Sequence, residues 1–245
     1  MSSSDSEKWH EYRQAGKSAW AGRNFASAEK SWSLAMDEAE RLGADDPRLT
    51  RSLLDLAGLY SRQKDYDRAE PLLRRAMEIA ERTAGQEDPR VAIIRNNLGA
   101  LLFARRQYAE AEAEYRSALS IVVRAHGPFH QASAIALNNL AEVCRVQGRF
   151  TQAEPIYRYI LAISEFVDPP APVVAGVLTN LAYVLRARGE YEEAKSVLER
   201  ILELEQQGAD KDHFDNIRRM HAEMESKVHP SIWSRLRSLL APGHQ

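Results

Sequence analysis

The sequence predicts an all-α protein built from stacked helix pairs, and two observations support this prediction. First, one aromatic position recurs at steps of 41, 42, 42 and 41 residues, and an alanine three residues later keeps the same steps. The aromatic residues are Phe25, Tyr66, Tyr108, Phe150 and Tyr191, and the alanines are Ala28, Ala69, Ala111, Ala153 and Ala194. Second, the apolar residues between these positions follow helical spacing. A constant period in this range is typical of a repeat array rather than of a single closed core.

The chain is expected to enter its first helix near Asp5. Ser4 and Glu7 have the spacing of a capping box, in which each side chain bonds a free backbone N–H of the first turn. The copy that follows, around Phe25, is the most divergent of the five. Divergence is typical of a terminal repeat, because its outer face meets solvent instead of a neighbouring repeat.

The second copy shows how each repeat is built. Asp46 can accept a hydrogen bond at a helix start, and the missing N–H of Pro47 costs nothing at the first helical position. Asp65 can start the second helix in the same way, and Asp88-Pro89 repeats the first signal one copy later. The first helix carries Leu49, Leu53, Leu56 and Tyr60 on one side, and the second carries Ala69, Leu72, Leu73, Ala76, Ile79 and Ala80.

Small and aromatic residues are expected to set the packing of each pair. Short side chains let two helix backbones approach to roughly 8–9 Å. They recur on the first helices as Ala57, Gly99, Ala141 and Ala182, and the recurring alanines supply them on the second helices. Trp32, Tyr115 and Tyr157 share one register of the second helices and are predicted to lie in the core.

The turn inside each pair calls for a residue with positive φ, and glycine is the residue that adopts it most easily. Gly148 and Gly189 stand at this position in copies four and five. Lys64 and Arg106 replace the glycine in copies two and three. These two turns are therefore predicted to be slightly strained.

These residues carry a resemblance to a known family. Leu-Gly/Ala, an apolar residue, Gly-x-aromatic, Ala-Glu and a second Ala together resemble the tetratricopeptide repeat. The asparagine pairs of residues 96–99 and 138–141, with the phrase AEPLLRRAMEIAE, are similar to the repeats of kinesin light chain. The resemblance implies a right-handed superhelical solenoid of five helix pairs. The repeats are expected at about 5–45, 46–87, 88–128, 129–169 and 170–207.

The C-terminal region differs from the repeats. Phe214, Ile217, Met220, Met224 and Val228 form one apolar stripe, which predicts a capping helix over 210–228. Residues 230–245 are expected to form a short amphipathic tail, with apolar positions at Ile232, Trp233, Leu236 and Leu240. Two interpretations stay open: the tail packs on its own last repeat, or it docks on a second molecule.

Composition narrows the function classes. The formal net charge of −2 favours neither nucleic acid nor a membrane surface, and few aromatic residues are expected in the groove, so nucleic-acid binding is disfavoured. Cys144 is the only cysteine, which excludes an internal disulfide and a cysteine zinc site. No run approaches the roughly 20 apolar residues of a membrane span, and the start has no secretory signal. We therefore expect a soluble, cytoplasmic protein.

The sequence predicts no enzyme. No phosphate-binding or dinucleotide-binding glycine motif and no nucleophile elbow occurs, and no acid, base and nucleophile are grouped. His126 and His130 have the spacing of a ligand pair, but Gly127 and Pro128 break the helix that such a pair needs. We expect neither a metal nor a cofactor.

The first helices of successive repeats are expected to line a concave groove. Positions that project into it follow from the register of Gly99, and they select Arg62, Asn96, Phe103, Asn138, Glu142, Arg145, Thr179, Tyr183 and Arg186 as candidate peptide-binding residues. Asn96, Asn138 and Thr179 form a ladder of short polar groups, and an amide can donate to and accept from a peptide backbone. The kinesin light chain repeats use groove asparagines and basic residues to bind peptides, so the resemblance implies Asn96 and Asn138 as leading contacts.

Alternatives remain for several of these positions. The amides of Asn96 and Asn138 could instead bond a neighbouring helix, and a structural role is favoured for Asn97, Asn139 and Asn180. The arginines at 62, 145 and 186, with Arg13 and Lys17 at the open end, give the groove a modest positive bias. This bias suits capture of carboxylates, although exposed arginine also serves solubility.

The leading hypothesis is a non-enzymatic adaptor that binds a linear segment of another protein, with acidic residues in that segment expected from the groove arginines. The sequence does not decide whether the segment is extended or helical. The alternative is a scaffold that forms a homo-oligomer through the C-terminal tail.

Overall fold

The computed structural model describes residues 3–205 and 211–228, and these residues form α-helices joined by short turns and links. The helices are α1 (Ser3–Ala21), α2 (Phe25–Leu42), α3 (Pro47–Arg62), α4 (Tyr66–Ala84), α5 (Pro89–Ala104), α6 (Tyr108–His126), α7 (Gln131–Val146), α8 (Phe150–Val167), α9 (Ala171–Arg188), α10 (Tyr191–Glu205) and α11 (Lys211–Val228). The predicted all-α repeat fold is confirmed. The tail expected at 230–245 lies outside the described residues, so docking through it stays a prediction.

The chain divides into two compact units at Pro128 and Phe129. Unit 1 contains α1 to α6, and unit 2 contains α7 to α11. Within each unit, every helix packs on the next one along the chain, so that one helix pair is followed by another. Each unit buries its own apolar core between these layers.

The helix starts that the sequence predicts are present. The carboxylates of Asp46 and Asp88 accept hydrogen bonds from the backbone N–H groups of Arg48 and Arg90, 2.9 and 2.8 Å away. The side chains of the same arginines close onto these carboxylates, so each link carries a local ion pair. Asp65 caps α4 in the same manner. The Asp-Pro links therefore end one repeat and begin the next without leaving these helix starts unpaired.

The turns inside the helix pairs adopt the left-handed conformation that was predicted. Gly148 and Gly189 have positive φ, and so do Lys64 and Arg106, with φ of 61° and 63°. Arg23 has the same conformation in the first copy, with φ of 57°, where no such turn was predicted. A residue with a Cβ has a higher energy than glycine in this conformation. The three turns at Arg23, Lys64 and Arg106 are therefore strained.

Small residues face large ones inside the pairs. The recurring alanines of the second helices are fully buried: Ala28, Ala69, Ala111, Ala153 and Ala194. The predicted core positions Trp32, Tyr115 and Tyr157 are also buried. Gly16 and Gly99 lie against Trp32 and Tyr115, and a Cβ at either glycine would overlap the ring. The large ring on the second helix of a pair therefore occupies the space that the glycine leaves on the first helix.

A recurring glutamate of the second helix joins successive pairs. Glu70 of α4 accepts a hydrogen bond from Arg105 at the end of α5, 2.7 Å away. Glu29 of α2 accepts one from the Tyr60 hydroxyl of α3 at 2.9 Å. Glu154 of α8 pairs with Arg188 at the end of α9. In these three copies the Ala-Glu part of the repeat motif connects the second helix to the first helix of the following pair.

Helix α11 packs against α10 in unit 2. Ile217 and Met224 are fully buried and belong to the core of this unit. Exposed residues at 215, 216, 218 and 219 lie on the other side of the helix. The side chain of Phe214, which was expected in the same apolar stripe, lies outside the described part of the chain.

Candidate binding groove

A cavity lies in unit 2, in a cleft between α7 and α9 whose floor is the C-terminal half of α8. Its volume is about 510 Å³. We call it the α7–α9 groove. Its walls are mostly aliphatic, and no Asp, Glu, Lys or Arg is among the lining residues. The lining includes Ile135, Asn138, Asn139, Leu161, Ser164, Val167, Val173, Gly176, Thr179 and Asn180.

Four of the sequence-predicted positions come together in this cavity. Asn138 and Asn139 reach it from α7, and Thr179 and Asn180 reach it from α9. All four are half-buried. Asn138 was predicted as a ligand contact, whereas a structural role was favoured for Asn139 and Asn180. The structure places both kinds of position at one cavity.

The hydrogen-bonding state of these groups differs. The Thr179 hydroxyl donates to the carbonyl oxygen of Ala175 at 2.8 Å, one turn earlier in its own helix. Asn139 takes part in an interaction within the protein. For Asn138 and Asn180, no side-chain hydrogen bond is found among the residues that the structure describes. These two amides therefore keep both donors and an acceptor for a bound molecule.

Three other predicted residues form a second cluster one turn further along α7 and α9. Arg145 holds Glu142 by two hydrogen bonds, Nε–Oε2 at 2.7 Å and Nη2–Oε1 at 2.5 Å. Its guanidinium carbon lies 4.9 Å from the ring centroid of Tyr183. The bond to Glu142 raises the pKa of Arg145. The charges of Arg145 and Glu142 cancel, so the cluster has no net charge. Both residues follow Asn138 at helical spacing on the same face of α7.

The remaining predicted arginines also have partners. Arg186 pairs with Glu223 of α11 at 3.2 Å. Arg62 lies over the rings of Trp20 and Phe25, with its guanidinium carbon 5.4 and 6.0 Å from their centroids. Carboxylates neutralise Arg145 and Arg186 in unit 2, and Asp55 neutralises Arg13 in unit 1. The positive bias expected for the groove is therefore reduced to Arg62 and Lys17, which both belong to unit 1.

The other predicted positions lie in unit 1. Asn96 is half-buried and takes part in an interaction within the protein, and Asn97 is exposed. Phe103 packs edge-on against Tyr108, with ring centroids 5.5 Å apart, which fills the turn between α5 and α6. These residues do not line the α7–α9 groove.

Sequence reasoning missed the aliphatic part of the cavity. Ile135 and Gly176 lie three residues before Asn138 and Thr179, so they share a helix face with them. Ile135 and Val173 are more than half exposed and lie in the same aliphatic lining, and a contiguous exposed apolar patch of this kind marks a candidate binding surface. Extending the predicted ring by one turn toward the helix N-termini would have found them. The contribution of α8 has no comparable signal in the sequence.

One group of carboxylates in the described residues has the proximity of a metal site: Glu154, Glu190 and Glu193. Arg158 bridges Glu154 and Glu193 at 2.9 and 2.6 Å, and Arg188 bridges Glu154 and Glu190. The two guanidinium groups already supply the positive charge that a cation would bring. We therefore assign the group to inter-helix ion pairing. None of the described helices is long and apolar enough to cross a membrane.

Comparison with solved structures supports the fold. BtubC (BKLC) from P. vanneervenii is 24% identical, with a TM-score of 0.73 over 84% of this chain and 91% of that chain. The nearly identical TPR-like repeats of a kinesin light chain-like protein from Podosopora anserina are 18% identical, with a TM-score of 0.69 over 81% and 94%. A Rap protein complexed with competence and sporulation factor is 16% identical, with a TM-score of 0.70 over 95% and 67%.

At these identities the similarity is one of fold. The comparison with curated proteins finds no match. Family models described as tetratricopeptide repeat match residues 12–82 and 90–165, and a further one matches 174–215. With the helix pairs, the buried alanines and the kinesin light chain-like neighbours, these matches show that the chain belongs to the tetratricopeptide repeat family.

Proposed function

We propose that the protein is a non-enzymatic adaptor that holds a segment of a partner protein in the α7–α9 groove. The observation that carries the proposal is the cavity of about 510 Å³, whose aliphatic walls contain the amides of Asn138 and Asn180. Binding sites are typically concave and apolar, with a few polar groups that orient the ligand. This cavity has that composition.

The two parts of the lining serve different roles in this proposal. The aliphatic walls receive an apolar side chain, whose full burial is worth about 1.5–3 kcal/mol. The amides of Asn138 and Asn180 bond backbone groups of the same segment, since an amide matches both the N–H and the C=O of a peptide. Because backbone groups are common to all peptides, affinity from the amides is independent of sequence, and selectivity comes from the aliphatic walls.

The adaptor role is consistent with the fold. One solved structure of similar fold is a Rap protein complexed with competence and sporulation factor. The similarity shows the fold alone, so it supports the capacity of such a scaffold to hold another molecule and leaves the ligand open.

Selection from a phage-displayed library of random 12-residue peptides on the full chain provides a probe. The affinity of selected peptides is then measured by fluorescence polarisation for the wild type, for Asn138→Ala and for Asn180→Ala. Each substitution is expected to weaken binding about tenfold, because a hydrogen bond to a buried backbone group is lost. Asn97→Ala is the matched control, since Asn97 occupies the position of Asn139 and Asn180 in unit 1.

Circular dichroism separates binding from folding. The helical signal and melting temperature of both variants are expected to stay near those of the wild type. Unchanged affinity in both variants, or failure to select any peptide, would contradict the proposed site.

A further inference from the structure

We infer that the α7–α9 groove selects a segment in which a bulky apolar side chain is flanked by a basic residue, and that Gly176 creates the space for that side chain. The inference rests on the proposed function and specifies its partner. It differs from the acidic segment that the arginines of the sequence suggested.

Unit 1 contains the same cleft at the equivalent place, between α3 and α5 over α4. Its volume is only about 230 Å³. In the repeat register, α5 contributes Arg90, Ile93 and Ile94 where α9 contributes Val173, Gly176 and Val177. The α7–α9 groove therefore has the smaller Val173 in place of Arg90, and it has no side chain at Gly176 in place of Ile93. Both differences fit its larger volume.

Gly176 lies inside α9 with an exposed surface. A Cβ built on Gly176 would meet no other atom within 4 Å, so neither a close backbone nor a neighbouring side chain requires glycine there. Its φ is also not in the left-handed region. Glycine inside a helix costs stability relative to alanine. Gly58 of α3 shares these properties but does not line the α7–α9 groove, so the feature that distinguishes Gly176 is the opening it leaves in the wall of this cavity.

Charge complementarity defines the flank of the ligand. The lining residues are uncharged, and burying an unpaired charge among them would be costly, so the inserted side chain is neutral. Glu165 and Asp168 are the only charged residues between 159 and 185, and both are exposed. Asp168 stands between Val167 and Pro169, which both line the cavity. The edge of the groove at the α8–α9 link is therefore acidic.

Basic groups do not offset this charge on α7. Residues 131–141 contain no Lys or Arg, and Arg145 is held by Glu142. An apolar segment with Arg or Lys next to its inserted side chain satisfies both features, whereas an acidic segment meets like charge at Asp168.

The first experiment reads the sequences selected from the random 12-residue library on the full chain. The expected consensus is Leu, Ile, Met or Phe with Arg or Lys within about four positions. An acidic consensus that still depends on Asn138 would overturn the inference and leave the proposed function standing. Failure to select peptides would overturn both.

The second experiment measures the affinity of one selected peptide for Gly176→Leu. The leucine fills the cavity, and at least about tenfold weaker binding is expected because the apolar side chain of the peptide is displaced. Gly58→Leu is the matched control: Gly58 is an exposed helical glycine of α3 whose Cβ would also meet nothing within 4 Å. Its affinity is expected to stay at the wild-type value. Equal affinities in the two variants would overturn the role of Gly176.

The third experiment removes the edge charge by Asp168→Asn. Asparagine tolerates the left-handed conformation of Asp168, so the link is preserved. Binding at low salt is expected to weaken about threefold and to become less dependent on salt. Asp37→Asn, at an exposed position of α2, is the control. A stronger interaction of the Asp168→Asn variant with the selected peptide would contradict the proposed basic flank.

Discussion

Gly99 lies against the ring of Tyr115, so closely that a Cβ at position 99 would be 2.6 Å from the ring atom Cε1. The glycine belongs to α5 and the tyrosine to α6, and the absence of a side chain on the first lets the ring of the second lie in the core. A single glycine at position 99 therefore determines how closely α5 and α6 can pack.

Gly99→Ala is therefore expected to destabilise the protein. The added methyl group overlaps a buried ring that has little room to move, and overpacking of this kind costs typically about 1–3 kcal/mol. Urea unfolding followed by circular dichroism measures the change in unfolding free energy. Gly58→Ala is the control and is expected to stabilise by up to about 1 kcal/mol, because its Cβ is unopposed and alanine favours the helix. If both substitutions stabilised the protein, the contact with Tyr115 would carry no strain.

At the strained turns, removing a side chain is expected to raise the free energy of unfolding. Lys64→Gly and Arg106→Gly are each expected to stabilise the protein by about 0.5–1 kcal/mol, because glycine adopts positive φ without the clash of a Cβ. The greater conformational entropy of glycine in the unfolded chain offsets part of this gain. Gly148→Ala should destabilise by a similar amount, because it introduces that clash. Thermal unfolding of the three variants tests the account, and a lower melting temperature for both glycine variants would contradict it.

Stability is expected to fall in acid partly through Asp46. The side-chain hydrogen bond from Arg48 lowers the pKa of Asp46 in the folded state, although burial acts in the other direction. A lowered folded-state pKa contributes stability above the ordinary carboxyl value of about 3.9, and this contribution is lost as the pH falls through the folded-state pKa. Asp46→Asn keeps a capping acceptor but removes the charge. It should cost about 1 kcal/mol at pH 7.

The difference between wild type and Asp46→Asn should shrink as the pH falls toward and below the folded-state pKa. Urea unfolding at a series of pH values measures it. A difference that stays constant across this range would show that the charge of Asp46 contributes nothing.

At high pH the corresponding group is Tyr157. Burial, together with the nearby carboxylate of Glu142, raises the pKa of its hydroxyl well above the ordinary value of about 10. The stability contributed by the neutral hydroxyl is fully present below the unfolded-state pKa and is lost as the pH rises through the folded-state pKa. Wild type should therefore lose stability above about pH 10 more steeply than Tyr157→Phe. Tyrosinate absorbance and unfolding free energy together measure this, and parallel pH profiles would contradict it.

Much of the fold is readable from single residues of the sequence. Asp46-Pro47 predicts a helix start because a carboxylate acceptor and a missing N–H are both local features. The turn at Lys64 is readable by comparison with Gly148, because the conformation recurs with the repeat. Ala69 and its equivalents are buried as expected, because two close helices leave no room for a longer side chain.

The candidate site is readable only in part. The register identified Asn138 and Thr179, which do line the cavity. It did not foresee that Glu142 would hold Arg145, because several rotamers of a long side chain are compatible with one backbone position. The positive charge expected for the groove was counted from these side chains as if they were unpaired. Arg145 and Arg186 are paired with carboxylates, so the expected charge is not present there.

The sequence by itself determined the architecture of the repeats: the 41- and 42-residue steps, the capped helix starts and the small residues at each helix contact. These follow from backbone geometry and from interactions within a few residues. Only the tertiary structure decided which polar groups stay available and where the wall is open. The opening at Gly176 depends on what α7 and α8 place opposite it, and pairing of the arginines depends on carboxylates of other turns and helices. The recurring motif thus specifies the stack, whereas the cavity and its charge arise from side chains that meet only after the helices have packed.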